Sequence, residues 1–206
     1  MKTPSDLDEL TTRTLAHYNA SAKSFWEGTR DHDVSQNIQA LLAAMKQPPP
    51  FKLLDFGCGP GRDLATFRAL GHEATGLDGC SAFVEMARAH SGCDVWHQNF
   101  LNLTLPPAHF DGVFANASLF HVPQQELASV LRSLHGTLAA GGVLFSSNPR
   151  GDDTEGFSGG RYGAFHSFEE WSHHMKAAGF TEISHYDRPE GKPRHEQPWL
   201  ASLWRK

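Results

Sequence analysis

The chain is poor in several features that would identify a protein quickly. Cysteine occurs three times in 206 residues, at Cys58, Cys80 and Cys93, and no two form a CxxC pair. That argues against a disulfide framework and a thiolate metal knuckle, and it suits a reduced, cytoplasmic setting. No apolar run approaches the roughly 18 residues of a membrane helix. The first 25 residues hold no apolar core with a cleavage site, so neither a membrane partner nor a leader is expected. Cations are not in excess either. Lys and Arg number 18 against 23 Asp and Glu, a formal charge of -5. With no basic surplus to neutralise phosphates, a nucleic-acid partner is not expected. Internal repeats and low-complexity tracts are missing too, and the length is that of one domain spanning 1–206.

What is present is an alternating pattern. The one sharp break is Pro48–Pro50, where a helix must stop because proline has no amide hydrogen. Before it, Val34, Ile38, Leu41, Leu42 and Met45 share a helical face, so 1–47 read as a helical extension or lid. After it, "FKLLDF", "HEATGLD", "CDVWHQ", "FDGVFANA" and "GVLFSSN" read as strands, with helices between them. The helix from Gln124 is expected to stop at Gly141 and Gly142. A helix with a capping box at Ser167 and Glu170 follows, and then two strands near "TEISHYD" and "PWLASLWR". Alternating strands and helices give an α/β fold over 51–206: a doubly wound, seven-stranded, mostly parallel sheet with helices on both faces. Such sheets bind ligands at the carboxyl ends of their strands.

The stretch "DFGCGPGRD" follows the first strand and so lies at that crevice. Gly57, Gly59 and Gly61 leave the backbone bare where a ligand comes close or where φ must be positive. A P-loop would need a lysine and Ser or Thr after its last glycine, whereas Arg62 and Asp63 stand here. A dinucleotide loop would need GxGxxG, and the spacing is GxGxG. Asp78 ends the second strand, about 20 residues beyond the first glycine, where an acid can accept from ribose hydroxyls. A turn acid or helix cap is the structural alternative.

These segments in order, "LLDFGCGPGRDLATFRALGHEATGLDGCSAFVEMAR", "HQNF", "FDGVFANASLFHVP" and "LAAGGVLFSS", resemble the class I S-adenosylmethionine-dependent methyltransferases, closest to a bacterial small-molecule branch. The resemblance implies S-adenosylmethionine as cofactor, S-adenosylhomocysteine as product, and no metal. It implies that Asp55, Gly57, Cys58, Gly59 and Gly61 wrap the methionine and ribose. Asp78 would hold the ribose hydroxyls, and Gly79 and Cys80 would flank the adenine. Asn99 stands where the family usually has aspartate, and Phe100 would pack near the ring. Cysteine is a poor helix cap at position 80, so Ser81 is expected to take that role. A nucleophilic Cys58 is the bolder reading and simple packing the plainer one. Asn116 and Ala117 would lie beside the sulfonium, with Ser118 next to them. His121 would orient a substrate or accept its proton, or else pack the loop.

The acceptor must be covered by segments outside the sheet. The N-terminal extension offers Tyr18, Phe25, Trp26, Thr29 and Arg30. The glycine-rich stretch after the fifth strand offers Arg150, Phe157, Arg161, Tyr162 and His166 as a mobile lid. Of these, Tyr18 joins His121 as a catalytic candidate, and Trp26, Arg30, Arg161 and Tyr162 are substrate-binding candidates. Aromatics with arginines suit a planar or anionic small molecule. His173 and His174 are adjacent on a helix and cannot face one ion together. The expected function is methyl transfer to an O, N or S nucleophile of a small molecule by a monomer or homodimer. The rivals are a macromolecular methyltransferase, a non-catalytic binder with the same fold, and a nicotinamide-dependent oxidoreductase.

Overall fold

The computed structural model describes residues 2–206. Two helices come first, α1 (Pro4–Thr29) and α2 (Ser35–Ala44). The alternating core follows: β1 (Lys52–Phe56), α3 (Arg62–Ala69), β2 (Glu73–Asp78), α4 (Ser81–Ser91), β3 (Asp94–His97), β4 (Phe110–Asn116), α5 (Gln124–Thr137) and β5 (Leu138–Pro149). A hairpin, β6 (Thr154–Ser158) and β7 (Arg161–Phe165), precedes α6 (Phe168–Ala177), β8 (Thr181–Arg188) and β9 (Trp199–Arg205).

The main sheet has seven strands in the order β3-β2-β1-β4-β5-β9-β8. β1 to β5 run parallel, and β9 is antiparallel to both β5 and β8. Because both faces are covered, the central strands are apolar on both sides and alternate between two cores. Leu54, Phe56, Val113, Ala115 and Leu144 face Leu127, Leu131 and Leu134 of α5 and Trp171 and Met175 of α6. Leu53, Phe114, Val143 and Phe145 face Ile38 and Leu41 of α2 and Phe67 of α3. The stripe read over residues 34–45 thus belongs to α2, a packed layer of the sheet. α1 is separate, and it lies on α4 through Ala22 and Phe83.

Three local expectations are corrected. α5 does not run on to Gly141. It ends at Thr137, and β5 starts at once with Leu138 opposite Phe110. Gly141, at φ +76°, lies inside the strand where the pairing with β4 shifts register, so that pair of glycines marks an irregularity in a strand rather than a helix stop. The stretch read as a mobile glycine-rich lid forms the β6–β7 hairpin, with five residue pairs in register. The α4 cap comes from neither Cys80 nor Ser81. Asn19 of α1 places its Oδ1 to accept from the Ala82 amide (3.1 Å) and the Ser81 hydroxyl (3.0 Å).

Candidate active site

The loop between β1 and α3 is held by the neighbouring strand. The amides of Gly57 and Cys58 donate to the Leu77 carbonyl at 2.7 and 3.1 Å. Gly57 has φ +77°, and a Cβ there would lie 2.3 Å from the Ser118 Cβ, so no other residue fits. Gly61 serves a different purpose from the one expected. A Cβ there would meet the Ala87 backbone at 2.8 Å, so this glycine lets α3 approach α4 and does not line the cavity.

The loop borders a cavity of about 830 Å³ at the carboxyl ends of the parallel strands. Asp78 lines it, fixed by the Gly59 amide on Oδ2 (2.9 Å) and the Cys80 amide on Oδ1 (2.8 Å). Burial pushes its carboxyl up to about 6, against the pull of those amides. A carboxylate has about four acceptor positions, and two remain for a ligand. Gly57, Cys58, Gly59, Gly79, Asn99, Phe100, Asn116 and Ala117 all line the cavity as expected. Phe100 stacks on Phe56 with centroids 4.3 Å apart. Asn99 spends part of its oxygen on the Leu101 amide at 2.9 Å.

Besides Gly61, two more predicted cofactor contacts stand outside the cavity wall. Asp55 lies behind the loop, fully enclosed. Burial and then the nearby Asp63 carboxylate raise its carboxyl well above the ordinary range. Cys80 has no exposed surface, and its thiol meets Asn19. The Cys58 thiol is also raised well above its ordinary value, by burial first. It is therefore no thiolate nucleophile, which leaves the packing reading.

α1 roofs the cavity with Tyr18, Phe25, Trp26 and Thr29. Arg62, paired with Asp63 at 2.7 Å, ties this roof to the glycine loop by donating to the Thr29 carbonyl at 2.8 Å. His121 sits in a short 3-10 turn, Leu119–His121, rather than at the start of α5. Its Nδ1 is 2.6 Å from the Tyr162 carbonyl, which can only accept, so Nδ1 carries the proton. Nε2 is then the acceptor and takes the Tyr18 hydroxyl at 2.8 Å. Burial pushes the His121 imidazolium down to about 4, so the ring is neutral at pH 7. Arg161 lines the cavity and donates to the Tyr18 oxygen at 3.3 Å.

Two substrate candidates are displaced. Arg30 is exposed, pairs with Asp31 at 3.3 Å and does not reach the cavity. The Tyr162 side chain is buried away from it and bonds Glu155, while only its carbonyl serves the site, through His121. Sequence reasoning missed Asn37, Ser147, Arg188 and Trp199. Asn37 of α2 is wholly buried and donates to the Asn116 oxygen at 3.0 Å, which fixes that side chain. The one signal for it was a polar residue beside the apolar stripe of α2. Ser147 stands at the cavity edge with its hydroxyl enclosed and without a partner among the described residues.

The residues fit a nucleoside-sulfonium ligand. They offer acids and bare backbone at the loop and free acceptor capacity on Asp78. Comparisons with known proteins agree. Residues 53–142 match the family model described as "Methyltransferase domain". The chain is 31% identical over 140 residues to 24-methylenesterol C-methyltransferase 2 of Oryza sativa subsp. japonica, covering 63% of this chain and 37% of that one. It is 32% identical over 143 residues to ubiquinone biosynthesis O-methyltransferase of Xanthomonas campestris pv. campestris (strain B100), covering 65% and 59%. The chain therefore spans between about a third and three-fifths of the length of these curated relatives. Its fold is similar to that of Burkholderia thailandensis 1,6-didemethyltoxoflavin-N1-methyltransferase, solved with 1,6-didemethyltoxoflavin and S-adenosylhomocysteine. The TM-score is 0.79 at 21% identity, over 100% of this chain and 93% of that one. Residues 53–142 thus carry a methyltransferase-domain match, and over its full length the chain has the fold of a solved methyltransferase.

Proposed function

We propose that the protein is an S-adenosylmethionine-dependent methyltransferase acting on a small-molecule O, N or S nucleophile. The observation that carries this is Asp78: a buried carboxylate at the end of β2, pinned by two backbone amides beside a glycine loop, with acceptor capacity left over toward a large cavity. In this reading Asp78 takes the ribose hydroxyls, and Gly57 to Gly59 lie along the methionine and ribose. Asn99 and Phe100 border the adenine, and Asn116 with Ala117 border the reacting end. When bound, S-adenosylmethionine supplies an electrophilic methyl carbon on a sulfonium, open to in-line displacement.

The protein's own task is then to hold an acceptor on that axis and keep water out. α1 does the second with Tyr18, Phe25 and Trp26 over the cavity. His121 and Tyr18 do the first. A neutral imidazole depressed to about 4 is a weak base at pH 7. Its role is to hold Tyr18 in place, and burial likewise raises the Tyr18 phenol and keeps it protonated. A site that orients without abstracting a proton suits an acceptor that arrives with a free lone pair or already ionised.

Calorimetry tests the reading. S-adenosylmethionine and S-adenosylhomocysteine should bind with about 1:1 stoichiometry, and NAD should not. Binding of NAD alone would overturn it.

A further inference from the structure

Three arginines line the cavity, and they differ in what neutralises them. Arg62 is paired with Asp63. Arg161 donates to the Tyr18 oxygen and lies 5.6 Å over the Tyr18 ring, with no carboxylate on it. Arg188 has no hydrogen bond or ion pair to its side chain among the described residues, and its Nε is buried without a partner. Its surroundings make this unusual. Arg150 and Arg194, close by, both pair with Asp187. Asp33 at the rim is exposed and accepts from the Ser35 amide at 2.9 Å; that bond first, and the nearby Arg188 charge last, lower its carboxyl, but the two side chains form no salt bridge. A guanidinium half-removed from water and left unpaired is unfavourable unless a ligand supplies the missing anion.

The fold brings these groups to one place. Arg188 pairs in register with Trp199, and Trp199 with Pro149, so Arg188 stands at the carboxyl end of β5. One residue earlier, Asn148 accepts from the Phe120 amide at 3.2 Å. The Phe120 ring lies 3.9 Å from the ring of His121, which carries Tyr18 and through it Arg161. Arg188, Trp199, Phe120 and Arg161 thus border the end of the cavity built on β5, whereas Asp78 and Asn99 border the end built on β2.

We propose that the methyl acceptor is a planar carboxylate, with Arg188 as its anion clamp, Arg161 as a second positive charge, and its ring between Trp199 and Phe120. The inference rests on the methyltransferase reading and gives it a substrate class. A guanidinium fork matches a carboxylate in two parallel hydrogen bonds, and aromatic walls match a flat ring. A carboxylate oxygen keeps a lone pair outside the fork; when it takes the methyl, an ester C–O bond forms as the methyl–sulfur bond breaks, with no proton to remove, so the weakly basic His121 suffices.

The test uses the full chain saturated with S-adenosylhomocysteine and titrated with benzoate, trans-cinnamate and 2-naphthoate, each beside its carboxamide. At least one carboxylate should bind about tenfold or more tighter than its amide, and Arg188→Gln should remove that preference while the affinity for S-adenosylhomocysteine holds. Arg188→Lys, which keeps the charge but not the fork, should keep part of it. The proposal falls if no carboxylate binds, if amides bind equally well, or if Arg188→Gln keeps the preference. Failure of S-adenosylhomocysteine itself to bind is seen in the first titration. It would overturn the methyltransferase reading, and this inference with it.

Discussion

On the Asp78 side of the cavity the wall is backbone fixed by short-range contacts. Gly57 and Cys58 donate to Leu77, and Gly59 and Cys80 donate to Asp78. On the Arg188 side the wall is side chains from α1, the β6–β7 hairpin, the end of β5 and the end of β8. There two polar ends, Ser147 Oγ and Arg188 Nε, are buried without partners. The first half is preorganised for one ligand by two neighbouring strands and the turns that leave them. The second is assembled from distant parts of the chain and carries two arginines, Arg161 and Arg188, with no ion pair among the described residues. In the proposed reading a cofactor half and an acceptor half coexist in one fold because they depend on different stretches of sequence.

If the Asp78 half is set by backbone geometry, a side chain at Gly57 should break it most severely. Gly57→Val forces a β-branched residue to φ +77° and puts its Cβ on that of Ser118. Positive-φ strain alone is on the order of 1–3 kcal/mol. S-adenosylhomocysteine binding should fall below calorimetric detection, with a clear drop in Tm. Retained affinity would mean that the loop is pliable and that the two halves do not differ in rigidity.

Asp78→Asn should act more mildly and with a pH signature. Ionised Asp78 is the better acceptor for hydroxyls, so the wild-type affinity for S-adenosylhomocysteine should rise as pH increases through about 6. Asp78→Asn should lose that rise and bind weaker by roughly 1.5–3 kcal/mol at pH 7.5, the range for a hydrogen bond to a charged group. Stability has the opposite sign. The folded carboxyl sits above its unfolded value of about 3.9. Its contribution is therefore complete below that value and is lost as pH rises through about 6. Ligand-free Asp78→Asn should show a flatter stability curve over pH 4–7 in denaturant titrations.

The same division explains what the sequence could reveal. The seven-stranded, mostly parallel sheet and the Asp78 half were legible because they follow from local signals: apolar runs, glycines at fixed spacing and an acid at a strand end. Gly61 was misassigned because a spacing shows only that a side chain is unwelcome. Whether a ligand or the Ala87 backbone occupies the space depends on how α4 packs. Tyr162 and Arg30 were chosen for their chemistry, but strand alternation turned the first toward Glu155, and the last turn of α1 left the second in solvent. Arg188 was illegible. Nothing in "HYDRPEG" distinguishes a cavity arginine from a surface one, and its position depends on β8 joining the sheet beyond β9.

The smallest effect is expected at Tyr18, where the halves meet. Its ring packs at 5.5–5.6 Å on Phe83 and Phe25, while its hydroxyl joins His121 and Arg161. Tyr18→Phe keeps the ring and removes only the hydroxyl. His121 Nε2 then loses its donor inside a buried site. The expected cost is about 1 kcal/mol of stability, typical of one intramolecular hydrogen bond. Affinity for S-adenosylhomocysteine should stay within about twofold, because the apolar cover is unchanged. Arg30→Ala, at the C-cap of the same helix, is the control. Its exposed pair with Asp31 should contribute nothing measurable to either quantity. A large loss of cofactor affinity in Tyr18→Phe would show that the hydroxyl chain through His121 and Arg161 also holds α1 over the Asp78 side. The two halves would then have to be treated as one coupled closure.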